Sequence, residues 1–292
     1  MRYTFSFKAN KATTVKRLLA KNGVSHRLFK RLSDAGMVWL NNRQTANAEM
    51  IHGATVRIEL PPSTEVAVSH QPIDVALDLP NWLVVVKPAG LASVPGPSNL
   101  TDSLLNRVAG HLVDQGVEGP QPAIITRLDR DTTGLVLVAK HAYAQGRLAQ
   151  SDAALVKEYR AVLVGTPSPA QGVVTLPLAK AEDGIHRVVS PAGQPAETAY
   201  RVVAQTATES LVELTLHTGR THQIRVHMAA IGHPLVGDPL YGTATVAAPH
   251  QLLQAFRLTF TDPFDGAAHT VLLPVPVDWP AIATAGQESG TE

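Results

Sequence analysis

Residues 124–140, IITRLDRDTTGLVLVAK, constrain this chain more than any other stretch, because a cluster of charges runs directly into an uninterrupted apolar segment. The apolar half, Leu135 to Ala139 opened by Gly134, has the length and composition of a strand buried on both faces. The charged half cannot be enclosed in the same way, since an ionised side chain leaves water only when it is paired or hydrogen-bonded. Arg127, Asp129, Arg130 and Asp131 therefore belong at the rim of the core. Two arrangements satisfy that requirement. One is a solvated turn in which Asp129 or Asp131 accepts from nearby backbone N–H groups; the other is a cleft at the strand end, lined by these charges.

A chain of 292 residues can bury a full core and carry a second, smaller unit. The net charge of +1 hides an asymmetry: residues 1–60 carry eleven Lys and Arg against three Asp and Glu, a local balance of +8, so the remainder sums to −7. A basic N-terminal unit on an acidic body points to a polyanionic partner held mainly by that unit. With no Cys there is no disulfide, thiol nucleophile or thiolate metal site. The opening MRYTFSFKANKATT lacks the apolar core of a signal peptide, and no apolar run approaches the length of a membrane span, so a soluble cytoplasmic protein is expected.

From Thr13 the pattern predicts two short helices, with Val15, Leu18 and Leu19 on one face, Leu28 and Leu32 on another, and Gly23 stopping the first. Lys16, Arg17, Lys21, Arg27, Lys30 and Arg31 lie along them, placing cations where a phosphate backbone could meet them. Pro61 and Pro62 begin a linker to about residue 70. Beyond it the spacing predicts a strand ending at Lys87, for which a structural role is expected, and a helix over 101–112 capped by Thr101 or Asp102. A helix over 143–155 and a strand over 157–164 with Tyr159 early in it come next. Hairpins and a loop around His186 and Arg187 fill 165–198, two more strands follow, and a final hairpin turns at Asp265 and Gly266.

Ile224, Met228 and Ile231 fall at i, i+4 and i+7, and Gly232 and Pro234 end that helix. Arg225 thus projects from its first turns, where with Arg220 and Thr221 it could hold an anion. His217, His222, His227 and His233 invite a metal reading, but His222 and His227 are five apart and diverge around a helix, so structural roles are expected and no metal site. Neither a G-x-G-x-x-G fingerprint nor a P-loop occurs, so no nucleotide cofactor is indicated.

VVVKPAGLASVPG from Val84, TRLDRDTTGLVLVAK, KEYRAVLVG from Lys157 and HTGRTHQIRVHMAAIGHPLVGDPLYG from His217 occur in the order found in RluA-type RNA pseudouridine synthases, and the resemblance covers most of residues 70–276. About residues 12–60 resemble, more loosely, the small α-L RNA-binding motif of a ribosomal small-subunit protein. The resemblance implies an α+β fold: a catalytic domain over 63–280 built on a mixed, largely antiparallel sheet, a small basic α/β RNA-binding module over 1–62, and a disordered tail over 281–292. It implies isomerisation of uridine to its C-glycoside with no cofactor. Asp129 takes the role of the essential carboxylate, acting as a nucleophile on sugar or base or by removing a ribose proton. Arg225 would pair with it, and Tyr159 would stack on uracil and could help remove the proton from carbon five. Arg127 would fill the gap left by a flipped base. Arg130, Arg220, Thr221 and His222, with Lys16, Arg17, Arg27, Lys30 and Arg31 of the module, are assigned to RNA contact. Thr126 stands where His is usual in the family, which puts the fine positioning of Arg127 in question, and Thr133 replaces a usual Ser while keeping the hydroxyl.

The implied partner is structured RNA, large-subunit ribosomal RNA ahead of tRNA, with the enzyme acting as a monomer. A non-catalytic RNA-binding or ribosome assembly factor is the alternative, and intact Asp129, Tyr159 and Arg225 argue against it. A hydrolase using Asp129 and a His lacks any G-x-S-x-G turn to support it.

Overall fold

The structure is a computed structural model that describes residues 1–45, 50–97, 99–245, 248–280 and 282. The tail expected over 281–292 lies outside the described residues, apart from Ile282.

The N-terminal elements are β1 (Thr4–Lys8), β2 (Thr13–Thr14), α1 (Val15–Lys21), α2 (His26–Asp34), β3 (Val38–Leu40), β4 (Arg43–Gln44), β5 (Met50–Ile51) and β6 (Thr55–Glu59). Thr14 and Ser25 cap the two helices, and Gly23 between them takes φ +84° with Arg147 Cα 3.1 Å from where its Cβ would be, so only Gly fits this close approach. Val15, Leu19, Leu28 and Leu32 pack on a sheet in the order β1-β6-β3-β4. The unit does not stand alone. Its apolar cluster takes in Tyr143 from beyond residue 70, and the rings of Phe5 and Tyr143 meet edge to face at 4.6 Å.

The body follows as β7 (Asp74–Asp78), β8 (Trp82–Lys87), α3 (Leu104–Asp114), β9 (Ala123–Ile124), β10 (Thr133–Ala139), α4 (Ala142–Ala149), β11 (Leu155–Val164), β12 (Gln171–Val174), β13 (Leu178–Lys180), β14 (Arg187–Val189), β15 (Thr198–Gln205), β16 (Glu209–Leu216), α5 (Gln223–Ala230), β17 (Leu253–Thr261) and β18 (Ala268–Leu272). Its main sheet runs β12-β15-β16-β11-β17-β10-β8-β7, with β18 on β17 and β9 on β10. The pairs are antiparallel except β10 with β17, so the fold is the α+β arrangement with a mixed, largely antiparallel sheet. Two sequence expectations need correcting. The cap of α3 is Ser103, in a reciprocal capping box with Asn106, because Asp102 is engaged by Arg107 instead. And α4 stops at Ala149, since Leu155 already begins β11 against Phe260.

The two parallel strands touch only at Thr133 and Gly134, which pair with Gln254 and Ala255. Gly134 sits at φ +113°, and a Cβ there would lie 2.3 Å from Ala255 O, so any side chain would force the strands apart. Beyond this point β10 and β17 diverge, and Leu135, Leu137, Leu258, Phe260 and Trp82 form a buried cluster on that side. Across the junction a single row of the sheet runs Lys87, Gly134, Ala255, Tyr159, Leu214. That row brings residues distant in sequence to the rim where the 127–131 loop enters.

Candidate active site

The loop before β10 is fixed on both sides of Asp129. Ser93 Oγ donates to Leu128 O at 2.7 Å and accepts from Leu128 N at 3.0 Å. Lys87, fully buried at the end of β8, donates from Nζ to the carbonyls of Pro88 (2.8 Å), Leu91 (2.7 Å) and Arg130 (2.7 Å). Three ammonium donors meet three carbonyls, the structural role expected of this residue. Burial pulls its pKa down to about 8, with the charges of Asp131 and Asp129 acting the other way. Thr126, in the place of the family His, accepts from Leu137 N through Oγ1 at 2.8 Å and so ties the start of the loop to the middle of β10.

Asp129 is half-buried and faces α5, where Arg225 Nη1 donates to its Oδ2 at 3.2 Å. The rest of the guanidinium is held by a residue the sequence reading did not single out. Arg225 Nε and Nη2 make a bidentate pair with Asp238 at 2.7 and 2.8 Å, and Asp238 is fully enclosed. Asp238 Oδ1 also accepts from the backbone N–H of Leu240 (2.9 Å) and Tyr241 (3.1 Å). Burial opposes both charges, yet mutual hydrogen bonding and attraction win: Arg225 is pushed above its ordinary pKa and Asp238 below. The available signal was GDPLYG, where a Gly at φ +76° and a Pro flank an Asp placed to accept from the turn that follows.

Asp129 and Arg225 line a cavity of about 370 Å³, within the range of a small-molecule site, and Asp238 stands behind them. Tyr159 forms part of its wall and is buried; that burial, followed by the nearby Asp129 charge, raises its pKa, so it is a phenol at neutral pH. Half-buried Lys157 adds a second cation, its pKa lowered by burial. Arg127, Arg130, Arg220, Thr221 and His222 also line the cavity, and the first four are exposed. Arg130 pairs with Asp131, and Arg220 donates from Nε to Pro195 O at 3.1 Å. Of the other histidines, His227 is buried between Thr198 Oγ1 and Leu176 O, and His233 donates from Nδ1 to Val164 O at 3.0 Å.

Lys16, Arg17, Arg27, Lys30 and Arg31 are not brought to this cavity. They lie on α1 and α2, which pack near the far end of β10, roughly 20 Å along the strand. Lys16, Arg17, Arg27 and Lys30 are exposed, and Arg27 and half-buried Arg31 line a crevice of about 400 Å³ between α2 and α4, where Arg31 bonds Gln121.

Residues 81–230 match the family model described as RNA pseudouridylate synthase. The chain is 37% identical over 258 residues to the ribosomal large subunit pseudouridine synthase D of Nitrosomonas europaea, covering 82% of this chain and 74% of that one. It is 33% identical over 273 residues to a protein of Bacillus subtilis named as an RNA pseudouridine synthase, covering 91% and 96%. Among solved structures, human RNA pseudouridylate synthase domain containing 4 superposes with a TM-score of 0.55 at 26% identity, over 74% of this chain and 93% of that one. Human RNA pseudouridylate synthase domain containing 1 shares the fold, with a TM-score of 0.56 at 21% identity over 76% and 97%.

Proposed function

This chain belongs to the RNA pseudouridylate synthase family, in its RluA type, and on that premise we propose that Asp129 is the carboxylate with which it isomerises uridine in large-subunit ribosomal RNA. The enzyme is an isomerase acting on RNA. The reaction breaks the bond between the ribose and N1, turns the base and rejoins it through carbon five; N1 gains a proton and carbon five loses one, so nothing is consumed. The observation that carries the assignment is the chain of contacts Asp129–Arg225–Asp238 at the wall of the cavity. A carboxylate beside a guanidinium that is itself locked by a second, enclosed carboxylate keeps one orientation through the reaction.

The remaining roles follow from position. Tyr159 presents its ring to the cavity and stacks on uracil; as a base it would first have to lose a proton that burial holds in place. A paired uridine hides its glycosidic bond and must be flipped in, and exposed Arg127 at the cavity rim is the residue we assign to the vacated stack, where a planar guanidinium can both stack and donate. Arg130, Arg220, Thr221 and His222 meet the flipped nucleotide and its flanks. Residues 1–62 form the RNA-binding module, holding RNA at Lys16, Arg17, Arg27, Lys30 and Arg31 while the target uridine sits at the other end of β10. The name of the Nitrosomonas europaea relative supports large-subunit ribosomal RNA over tRNA, and a ribosomal substrate supports a cytoplasmic location. Action as a monomer is part of this reading. Among the described residues no helix is long and apolar enough to cross a membrane.

Mapping pseudouridine at single-nucleotide resolution in total RNA, from cells with and without the gene, tests the substrate. Loss of one or a few large-subunit sites, restored by the wild type and not by Asp129→Asn, is the expected result. Loss confined to tRNA would overturn the ribosomal assignment.

A further inference from the structure

Asp129 has a second neighbour whose orientation is set from outside the catalytic loop. His222 stands at the residue before α5 with φ +57°, a left-handed conformation that few non-glycine residues take. Its side chain makes no helix-capping bond and lies on the cavity wall instead, with Nε2 4.0 Å from Asp129 Oδ2. Its other ring nitrogen, Nδ1, is 2.9 Å from Tyr241 Oη.

One direction along this line is fixed, and the rest is the arrangement that leaves each group a partner. The backbone N–H of Arg187, at the start of β14, donates to Tyr241 Oη at 2.7 Å. An N–H can only donate, so the phenol accepts there and has its own proton left to give to His222 Nδ1. With Nδ1 accepting that proton, the imidazole proton is on Nε2, the nitrogen 4.0 Å from Asp129 Oδ2. The charged and titratable groups facing His222 are Asp129, Arg225, Arg187 and Asp238, with Tyr241 across its edge at 5.7 Å between ring centroids. Burial, ahead of these charges, holds His222 below its ordinary pKa, in keeping with a neutral ring. Tyr241 is placed by the same residue that locks Arg225: its N–H donates to Asp238, and its ring lies 5.2 Å from the Arg225 guanidinium.

We propose that His222 is a positioning residue for Asp129: Tyr241 fixes its imidazole with the proton on Nε2, and that N–H becomes a second directed donor to the carboxylate, beside Arg225, when uridine closes the gap by about 1 Å. The line begins on the β13–β14 hairpin, so the seating of that hairpin on Tyr241 reaches His222 through two hydrogen bonds, and Asp129 across the 4.0 Å gap. This inference rests on the reading of Asp129 as the reacting carboxylate.

Two measurements on the full-length protein test it. In ¹⁵N NMR of the imidazole nitrogens at neutral pH, with His222→Gln identifying the resonances, the wild type is expected to show Nδ1 bare and Nε2 protonated, and Tyr241→Phe a mixture. A proton on Nδ1 in the wild type, or no change in Tyr241→Phe, overturns the proposal. In steady-state pseudouridine formation on a ribosomal RNA transcript, Tyr241→Phe is expected to lower kcat about tenfold, the value of one directed hydrogen bond, with KM little changed. His222→Gln places an amide N–H near Nε2 without needing Tyr241, so whatever its own rate, adding Tyr241→Phe to it should cost nothing more. Equal losses on both backgrounds would mean that Tyr241 acts by packing alone and would also overturn the proposal. Melting curves for each variant separate these outcomes from misfolding. Should the wild type make no pseudouridine, the functional reading fails, and the NMR result still decides the tautomer.

Discussion

At its Gly134 end β10 meets buried charge: Lys87 beneath the loop, Asp129 against Arg225, and Asp238 enclosed behind them. At its Ala139 end the neighbours are rings. Tyr3 lies 4.3 Å from His141 and Phe5 4.6 Å from Tyr143, while Arg147 lies over Phe264 at 4.9 Å. Both ends bury side chains, but burial does opposite work in them. Rings gain free energy simply by leaving water. Charges lose it and are tolerated only when fully paired, so what they contribute is orientation. The charged end fixes reacting groups to within a hydrogen bond, and the aromatic end fixes a whole N-terminal unit to the body.

Breaking each end in turn should expose that difference. Asp238→Asn leaves Arg225 enclosed without its bidentate partner, and should cost about 3–5 kcal/mol in chemical denaturation together with nearly all turnover. Tyr143→Ala removes a side chain that touches Phe5 and Phe264 and donates to Asn22 O at 2.6 Å. It should cost about 3 kcal/mol while leaving kcat at saturating RNA within a few-fold of wild type, the loss appearing in RNA affinity and its salt dependence.

A milder test uses pH. His141 caps α4 by accepting from Ala144 N at Nδ1, and its Nε2–H meets Asn81 Oδ1; burial, then Lys140, holds its pKa down at about 3. The unfolded chain takes up a proton near pH 6.5 and the folded chain only near 3, so the unfolded state binds more protons between those values. Stability should therefore fall on acidification by about 1.4 kcal/mol per pH unit in that window. His141→Asn, which can still cap the helix but does not titrate, should flatten that slope. The smallest effect is expected from Thr126→Val, which orphans Leu137 N at a cost of about 1 kcal/mol and should show as earlier hydrogen exchange at that amide.

Much of the charged end was legible because its chemistry is written in runs: RLDRD before an apolar strand, and QIR at the start of a helix whose end is marked by Gly232 and Pro234. The parts that were missed are those fixed only by tertiary pairing. Asp238 lies thirteen residues from the arginine it holds, and nothing in helical or strand periodicity links them. Ser93 lies 35 residues from Leu128, and its role exists only once β8 and β10 are side by side. The aromatic end was less legible still. TFSFK was not read as β1 although Phe5 and Phe7 alternate with polar residues, and its packing could not be read at all, because the partners of the Phe5 ring, His141, Tyr143 and Phe264, come from more than 130 residues away.

The most direct test of Asp129 as the reacting carboxylate is single-turnover pseudouridine formation by Asp129→Asn on a ribosomal RNA transcript that the wild type modifies, with RNA affinity measured in parallel. The substitution keeps the shape and the hydrogen bond to Arg225 while removing the charge. Binding within a few-fold of wild type with no detectable product is the predicted result. Turnover at a rate near that of the wild type would contradict it.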